Sequence, residues 1–271
     1  MVAGGGGGGH AIVDLTLPLG EEFPCTWPGH IPYQQKTFNY FAESGPDEAR
    51  LMSGCGPYQT RWLMLDEHTG THVDAPAHFI PRPGTGYDGE GPAGDVTAEK
   101  IPLSQCMGPA AVIDVTGLVG TVDRAGQSPD IEPEHVAAFE AEHGELRSGE
   151  IVLFRSGWDE GRYLPGAPGA AYAHDPIILG RGEAWPAPSV ATMEYLVERR
   201  GVRCVGTDGP SMGSAQAGRG VHVAGLSRSC VFIEALTNLR SLPARGAYFV
   251  FAPLKVARGS GAPGRAFALL P

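Results

Sequence analysis

A mixed α/β fold, with sheet layers and a few covering helices, is what this sequence predicts. Three observations carry the prediction. Seven short runs have the β-branched and aromatic character of strands and are bounded by Gly, Pro or polar residues. Only two segments show helical periodicity. And 40 glycines and 24 prolines among 271 residues break the chain into many turns. The expected strands are 11–15, 58–65, 110–115, 150–155, 202–206, 230–236 and 247–251. The first helix is expected over 132–143. It places Pro133 in its first turn, where the missing N–H costs nothing, and Val136 and Phe139 on its apolar face. The second is expected over 189–200, with Ser189 as N-cap, an apolar stripe of Val190, Met193, Leu196 and Val197, and Gly201 as its stop. The Gly/Pro-rich stretches 80–95 and 157–188 are expected as loops near a functional site, because irregular segments of that length are usually functional.

Hydrophobic residues at 42 % and charged residues at 18 % give a globular composition with enough apolar mass for a sizeable core. The chain reads as one domain from about residue 11 to 271. It is preceded by a flexible lead-in over 1–10, where six consecutive glycines (4–9) cannot bury surface. A net charge of -10 excludes a basic nucleic-acid footprint. No apolar run reaches the roughly 18 residues a bilayer span needs, so no membrane partner is expected. No charged n-region leads into an apolar h-region. The five cysteines are odd in number and form no C-x-x-C pair, which argues against a disulfide framework or a structural zinc knuckle and for a reducing, cytoplasmic setting.

The chemistry concentrates in Leu65-Asp-Glu-His-Thr-Gly-Thr-His-Val-Asp-Ala-Pro-Ala-His-Phe79. Thr69, Gly70, Thr71, Val73 and Pro76 disfavour a helix. An extended strand instead places His68, His72 and Asp74 on one face, with Gly70 between them leaving a gap for an ion and its water. Two imidazoles and a carboxylate suit Zn²⁺, Mn²⁺ or Fe²⁺, and three protein ligands leave a position open, as catalytic sites require. Such an ion lowers the pKa of a bound water to about 7. His78, beyond the turn at Pro76, is the natural acid or base beside that water. A single histidine is usually a core or surface residue. Three histidines and an aspartate within residues 68–78, spaced by glycine and threonine, are much harder to read that way.

His68-Thr-Gly-Thr-His72-Val-Asp74-Ala-Pro-Ala-His78-Phe79 resembles the signature of the cyclase family of metal-dependent hydrolases, whose branches include kynurenine formamidases and isatin hydrolases. The resemblance runs through nearly the whole chain. Trp27-Pro28-Gly29 is similar to the family's early substrate loop, and Phe154-Arg155-Ser156-Gly157-Trp158 to its central strand. Gly206-Thr207-Asp208-Gly209-Pro210-Ser211 is similar to its Gly-x-Asp-x-x-Ser turn. Glu234-x-Leu236-Thr237-Asn238-Leu239 and Ala252-Pro253-Leu254-Lys255 are similar to its last strands. The resemblance implies a swivelling β/β/α fold and a homodimer or homotetramer acting on a small-molecule substrate. In the formamidase branch it implies a dinuclear site. There His68, His72 and Asp74 hold the first ion, and Asp74 bridges to a second held by His222 and Glu234. His78 is the acid/base. Other branches use a single manganese. The implied cofactor is thus one or two divalent ions, Zn²⁺ or Mn²⁺. The run Val221-His222-Val223-Ala224-Gly225-Leu226 departs from the formamidase pattern.

Glu234 lies in an otherwise apolar run, where an unpaired carboxylate is costly, so a metal or a cation such as Arg228 is expected beside it. Asp208 is a candidate to orient a ligand histidine, against a plain turn aspartate. Ser211 is a candidate donor to a developing oxyanion, against a plain loop serine. Trp27, Trp158, Phe38 and Tyr40 are candidates to line an apolar substrate pocket, with Phe38 better read as core. Tyr163 and Trp185 are candidates for a lid. His10, His135, His143 and His174 read as surface residues, with His30 near the pocket. The expected activity is hydrolysis of a small amide, formamide or cyclic amide or ester. The alternative is metal-assisted ring closure of an aromatic polyketide or related natural product, through a stabilised enolate.

Overall fold

The computed structural model describes residues 11–41 and 56–271. The glycine run expected as a flexible lead-in, and Cys55, lie outside the described residues. In chain order the strands are β1 (Ile12–Asp14), β2 (Gln34–Tyr40), β3 (Gln59–Met64), β4 (His72–Asp74), β5 (Met107–Asp114), β6 (Asp130–Ile131), β7 (Ile151–Arg155), β8 (Ala187–Pro188), β9 (Cys204–Thr207), β10 (Val231–Glu234), β11 (Arg245–Pro253) and β12 (Gly261–Leu269). The α-helices are α1 (Pro133–His143), α2 (Val190–Glu194) and α3 (Gly218–Leu226).

Eight strands form one mixed sheet in the order β1-β12-β11-β5-β7-β9-β10-β4. A further pairing of β4 with β12 closes it into a barrel. β5, β7, β9 and β10 run parallel to one another, and the remaining pairings are antiparallel. The α/β class expected from the sequence is therefore present, and every expected strand has an observed counterpart. α2 begins at Ser189, whose hydroxyl accepts from the Thr192 amide, and continues in wider π-helical turns over Tyr195–Arg199.

Alternation along the strands sorts the core into two layers, since successive side chains of a strand point to opposite faces. On β7, Ile151 and Leu153 point into the barrel with Val73, Ile233 and Phe249, whereas Val152 and Phe154 point outward against Val136, Met193 and Leu196 of the helical layer. On β10, Val231 and Ile233 point inward and Phe232 outward. This parity places Glu234 on the outer face with Phe232. On β4 the inward residue is Val73, so His72 and Asp74 share that same outer face. Register completes the arrangement, with Glu234 opposite His72 and Phe232 opposite Asp74.

β2 and β3 form a separate two-stranded ribbon. Phe38, Tyr40, Trp62 and Leu63 are exposed on it, so the core position expected for Phe38 and the pocket position expected for Tyr40 are not found. Among the described residues no helix is long and apolar enough to cross a membrane.

Candidate metal centre

Five elements deliver the polar side chains to one point outside the barrel wall. β4 supplies His72 and Asp74, β10 supplies Glu234, and α3, lying over the wall, supplies His222. The turn before β4 supplies His68, and the 3₁₀ turn Pro76–His78 supplies His78. His72, Asp74, His222 and Glu234 are all buried. Stacking against Phe79 (ring centroids 4.2 Å apart) and an edge contact with Phe232 (5.6 Å) hold the His222 ring.

The continuous strand expected over 68–74 is not what forms. The chain turns at Glu67–His68, and Gly70 adopts a left-handed φ of +60°, so only 72–74 are extended. A side chain at Gly70 would be strained in that conformation, and its Cβ would sit 2.3 Å from Leu19 Cδ2. The missing side chain makes room for Leu19 rather than for an ion. The left-handed turn also aims the Gly70 carbonyl at His72 Nδ1, 2.8 Å away. The expected convergence of His68, His72 and Asp74 is nevertheless present, reached through a turn.

The distances describe a cage. Asp74 Oδ1 lies 2.8 Å from His68 Nδ1 and 3.4 Å from His72 Nε2. Its Oδ2 lies 3.5 Å from His222 Nε2 and 3.9 Å from His78 Nε2. Glu234 Oε2 is 3.5 Å from His72 Nε2, and Oε1 is 3.3 Å from His222 Nε2 while accepting the Met212 amide at 2.6 Å. Arg228, the cation weighed as a partner for Glu234, pairs with Glu198 instead.

Whether a divalent cation fits can be judged from these atoms alone. Asp74 Oδ2 is buried without a hydrogen-bond partner among the described residues, which is costly unless a cation completes it. His72 and His222 each give Nδ1–H to a backbone carbonyl, Gly70 and Gly218, at 2.8 and 2.7 Å. That fixes their tautomers and leaves both Nε2 lone pairs facing the carboxylates, as ligating imidazoles do. One donor atom each from His72, Asp74 and Glu234 lie within 4.8 Å of one another, as do one each from His68, Asp74 and His78, a spacing that donors to a common ion can take. The donor set fits the ion.

Electrostatics point the same way. Burial alone would raise the Asp74 carboxyl, but the neighbouring imidazoles, His78 and His68 foremost, hold it well below the usual carboxylate range. Burial works against charge on His72, yet the hydrogen bond and charge of Asp74, with Glu234, raise it to about 9. The same carboxylates raise His222 to about 10 against its burial. Two buried carboxylates thus demand positive charge, which two protons or one divalent ion supply. His78 goes the other way: burial and the imidazoles of His68, His222 and His72 lower it to about 4, against the attraction of Asp74.

A cavity of about 290 Å³ opens onto the cage. Its walls include Trp27, Phe79, Tyr163, Tyr172 and Pro210, with His30, Ser211 and Arg219 among its polar lining. The 157–188 stretch therefore lies at the site as expected, whereas 80–95 contributes none of the lining. Trp27 and Ser211 take their expected places, the Ser211 hydroxyl accepting the Gly213 amide at 3.1 Å. Trp158 does not line the cavity. It is fully buried, gives its indole N–H to the Tyr172 carbonyl at 2.9 Å and stacks under Arg162. Trp185 is likewise buried and bonded to the Gly213 carbonyl, so of the two candidate lid residues only Tyr163 faces the cavity. Asp208 orients no histidine. It accepts Ser156 N, Ser156 Oγ and Gly157 N, tying together the ends of β7 and β9.

Three further side chains stand at the centre: Ser260, which no local pattern marks and whose hydroxyl lies 3.0 Å from His68 Nε2; and two from the 65–79 segment to which residue type assigned no role, Glu67, which accepts from Ser260, and Thr71, which donates to the Ala235 carbonyl and accepts from Leu17 N.

Residues 13–214 match the model of the family described as "Putative cyclase", a span that contains His68, His72, Asp74 and His78 and ends before His222 and Glu234. The chain is 34 % identical to the isatin hydrolase of Roseibium aggregatum over 80 % of its own length and 77 % of that protein's. It is 28 % identical to the kynurenine formamidase of Salinibacter ruber over 94 % and 96 %. Its fold superposes on isatin hydrolase A from Labrenzia aggregata bound to benzyl benzoate with a TM-score of 0.74 and 28 % identity, covering 96 % of this chain and 93 % of that one.

Proposed function

The chain belongs to the cyclase family of metal-dependent hydrolases, and on that premise we propose that it hydrolyses the C–N bond of a small aromatic formamide or cyclic amide at the cage around Asp74. The observation that carries the reading is the orphaned Oδ2 of a buried aspartate ringed by imidazoles beside an apolar cavity. Ring closure of a larger natural product, the alternative, has no observation of its own in its favour, and a cavity of about 290 Å³ suits a one- or two-ring molecule.

In this reading His68, His72, Asp74, His222 and Glu234 would hold one or two divalent ions, Asp74 with both of its oxygens turned toward imidazoles. A nitrogen and oxygen donor set without thiolate is one that Zn²⁺ or Mn²⁺ accepts. Bound there, the ion supplies Lewis-acid polarisation of a carbonyl and an acidified water. Trp27, Phe79 and Tyr163 would hold the flat substrate and exclude bulk solvent, and the Ser211 hydroxyl, which lines the same cavity, would donate to the carbonyl oxygen. His78, lowered to about 4, is neutral at pH 7, so its free imidazole nitrogen takes a proton from the attacking water and returns it to the leaving nitrogen. The exposed aromatic ribbon of β2 and β3 supports the homodimer or homotetramer expected from the resemblance. The unpaired thiols of Cys25, Cys106, Cys204 and Cys230 support a cytoplasmic setting.

The test is chelation and reconstitution. Protein stripped of metal and dialysed should turn over neither isatin nor N-formylkynurenine. One to two equivalents of Mn²⁺ or Zn²⁺ should restore hydrolysis of at least one of them. Full activity in the stripped protein would sink the reading.

A further inference from the structure

His68 is the only proposed ligand carried by a turn outside the barrel wall and α3. His72 and His222 have their outer nitrogens held by main-chain carbonyls; the outer nitrogen of His68 is held by side chains. We propose that Glu67 and Ser260 form a positioning relay that fixes the His68 ring and its tautomer for ion binding, an inference that rests on the reading of the centre given above.

The geometry sets the direction of each hydrogen bond. Ser260 gives both its amide N–H, at 3.0 Å, and its hydroxyl proton to Glu67 Oε1. A carboxylate only accepts, so the single hydroxyl proton is committed to Glu67. The Ser260 oxygen therefore faces His68 Nε2, 3.0 Å away, as an acceptor, and Nε2 carries the proton. Nδ1 is left with its lone pair pointing inward, where it and Asp74 Oδ1, 2.8 Å apart, offer electrons to the same point.

The surrounding chain is shaped for this contact. A Cβ at Gly261 would lie 2.5 Å from His68 Cε1, and one at Gly259 would lie 2.9 Å from Glu67 Oε2. Glycine on both sides of Ser260 thus lets the loop close on both partners. The Ser260 carbonyl accepts the Ala75 amide at 2.9 Å, and Gly261 stands in register with Asp74, so the loop is anchored to the strand that carries the ligands. The His68 and His78 rings lie 4.0 Å apart, so the relay also fixes the ring that packs against the acid/base.

Cobalt(II) titration of the stripped full-length protein, followed by its d–d absorption, tests the relay without relying on turnover. Ser260→Ala should weaken Co²⁺ binding about 10–100-fold, the usual effect of losing an outer partner of a ligand histidine, and should alter the band shape. Glu67→Gln keeps an oxygen acceptor for the hydroxyl and should lose only a few-fold. Because the two residues act in series, the double variant should bind no more weakly than Ser260→Ala alone. A merely structural role would lower the melting temperature of the stripped protein and leave cobalt affinity in place. Ser260→Ala with wild-type affinity and spectrum would overturn the relay while leaving the ion site standing. Wild-type protein that takes up no cobalt would overturn both. Should Ser260→Ala fail to fold, Glu67→Gln decides alone: a few-fold loss supports the relay, and unchanged affinity overturns it.

Discussion

Asp74 and Asp208 are equally buried, each 1 % exposed, and the molecule uses them in opposite ways. Asp208 is surrounded by neutral donors: Ser156 N, Ser156 Oγ and Gly157 N. Burial pushes its carboxyl up to about 7, with the charge of Asp159 adding to the effect and the Ser156 bonds opposing it. Asp74 keeps one oxygen without a hydrogen bond and faces four imidazoles, which hold it far down. A carboxylate saturated by neutral donors ties strand ends together; one left open among bases suits a cation. Burial does not distinguish the two roles, and the identity of the neighbours does.

The contrast breaks most sharply under amide substitution. Asp74→Asn should lower kcat/KM on order of 10³-fold or more, since several kcal/mol of ion-based stabilisation go with it at 1.36 kcal/mol per decade. Asp208→Asn should keep kcat/KM within a few-fold and retain its ion. Comparable losses of ion in the two variants, measured by metal analysis, would erase the distinction. A smaller effect separates proton transfer from ion binding: His78→Ala should lower kcat by about 10²–10⁴-fold with metal content unchanged, whereas wild-type turnover in that variant would remove His78 from the mechanism.

The smallest effect is on stability. Asp208 is raised above its unfolded value of 3.8, so its favourable contribution is complete below about pH 4 and is lost as pH rises through about 7. Asp208→Asn turns amide hydrogens toward backbone N–H donors and should destabilise by about 1–3 kcal/mol. The gap to wild type should be wider at pH 5 than at pH 8 in urea unfolding. A pH-independent gap would show that Asp208 does not titrate in this range.

Much of this was legible in the chain, and the exceptions share a cause. His68, His72, Asp74 and His78 could be found because one short segment carries them all. β12 could not: Gly261–Leu269 contains glycines, a proline and no β-branched residue, and becomes a strand because β11, β1 and β4 offer it partners. α3 was hidden by Gly218, Gly220 and Gly225 with Val221 and Val223, all poor helix formers. Gly225 is there for packing, since a Cβ would come within 2.4 Å of Phe232 Cζ. Trp158 and Asp208 looked functional by residue type and by their place in family-like motifs, yet tertiary contacts place one behind the cavity and the other across two strand ends. Ser260 stands 192 residues from His68, a separation at which no local pattern operates.

The pairing of β4 with β12 also fixes when the centre can exist. As the chain leaves the ribosome, every imidazole of the cage emerges before the segment that closes the barrel beside them. The cage around Asp74 is thus completed late, only once β12 has reached β4 and Ser260 has come beside His68.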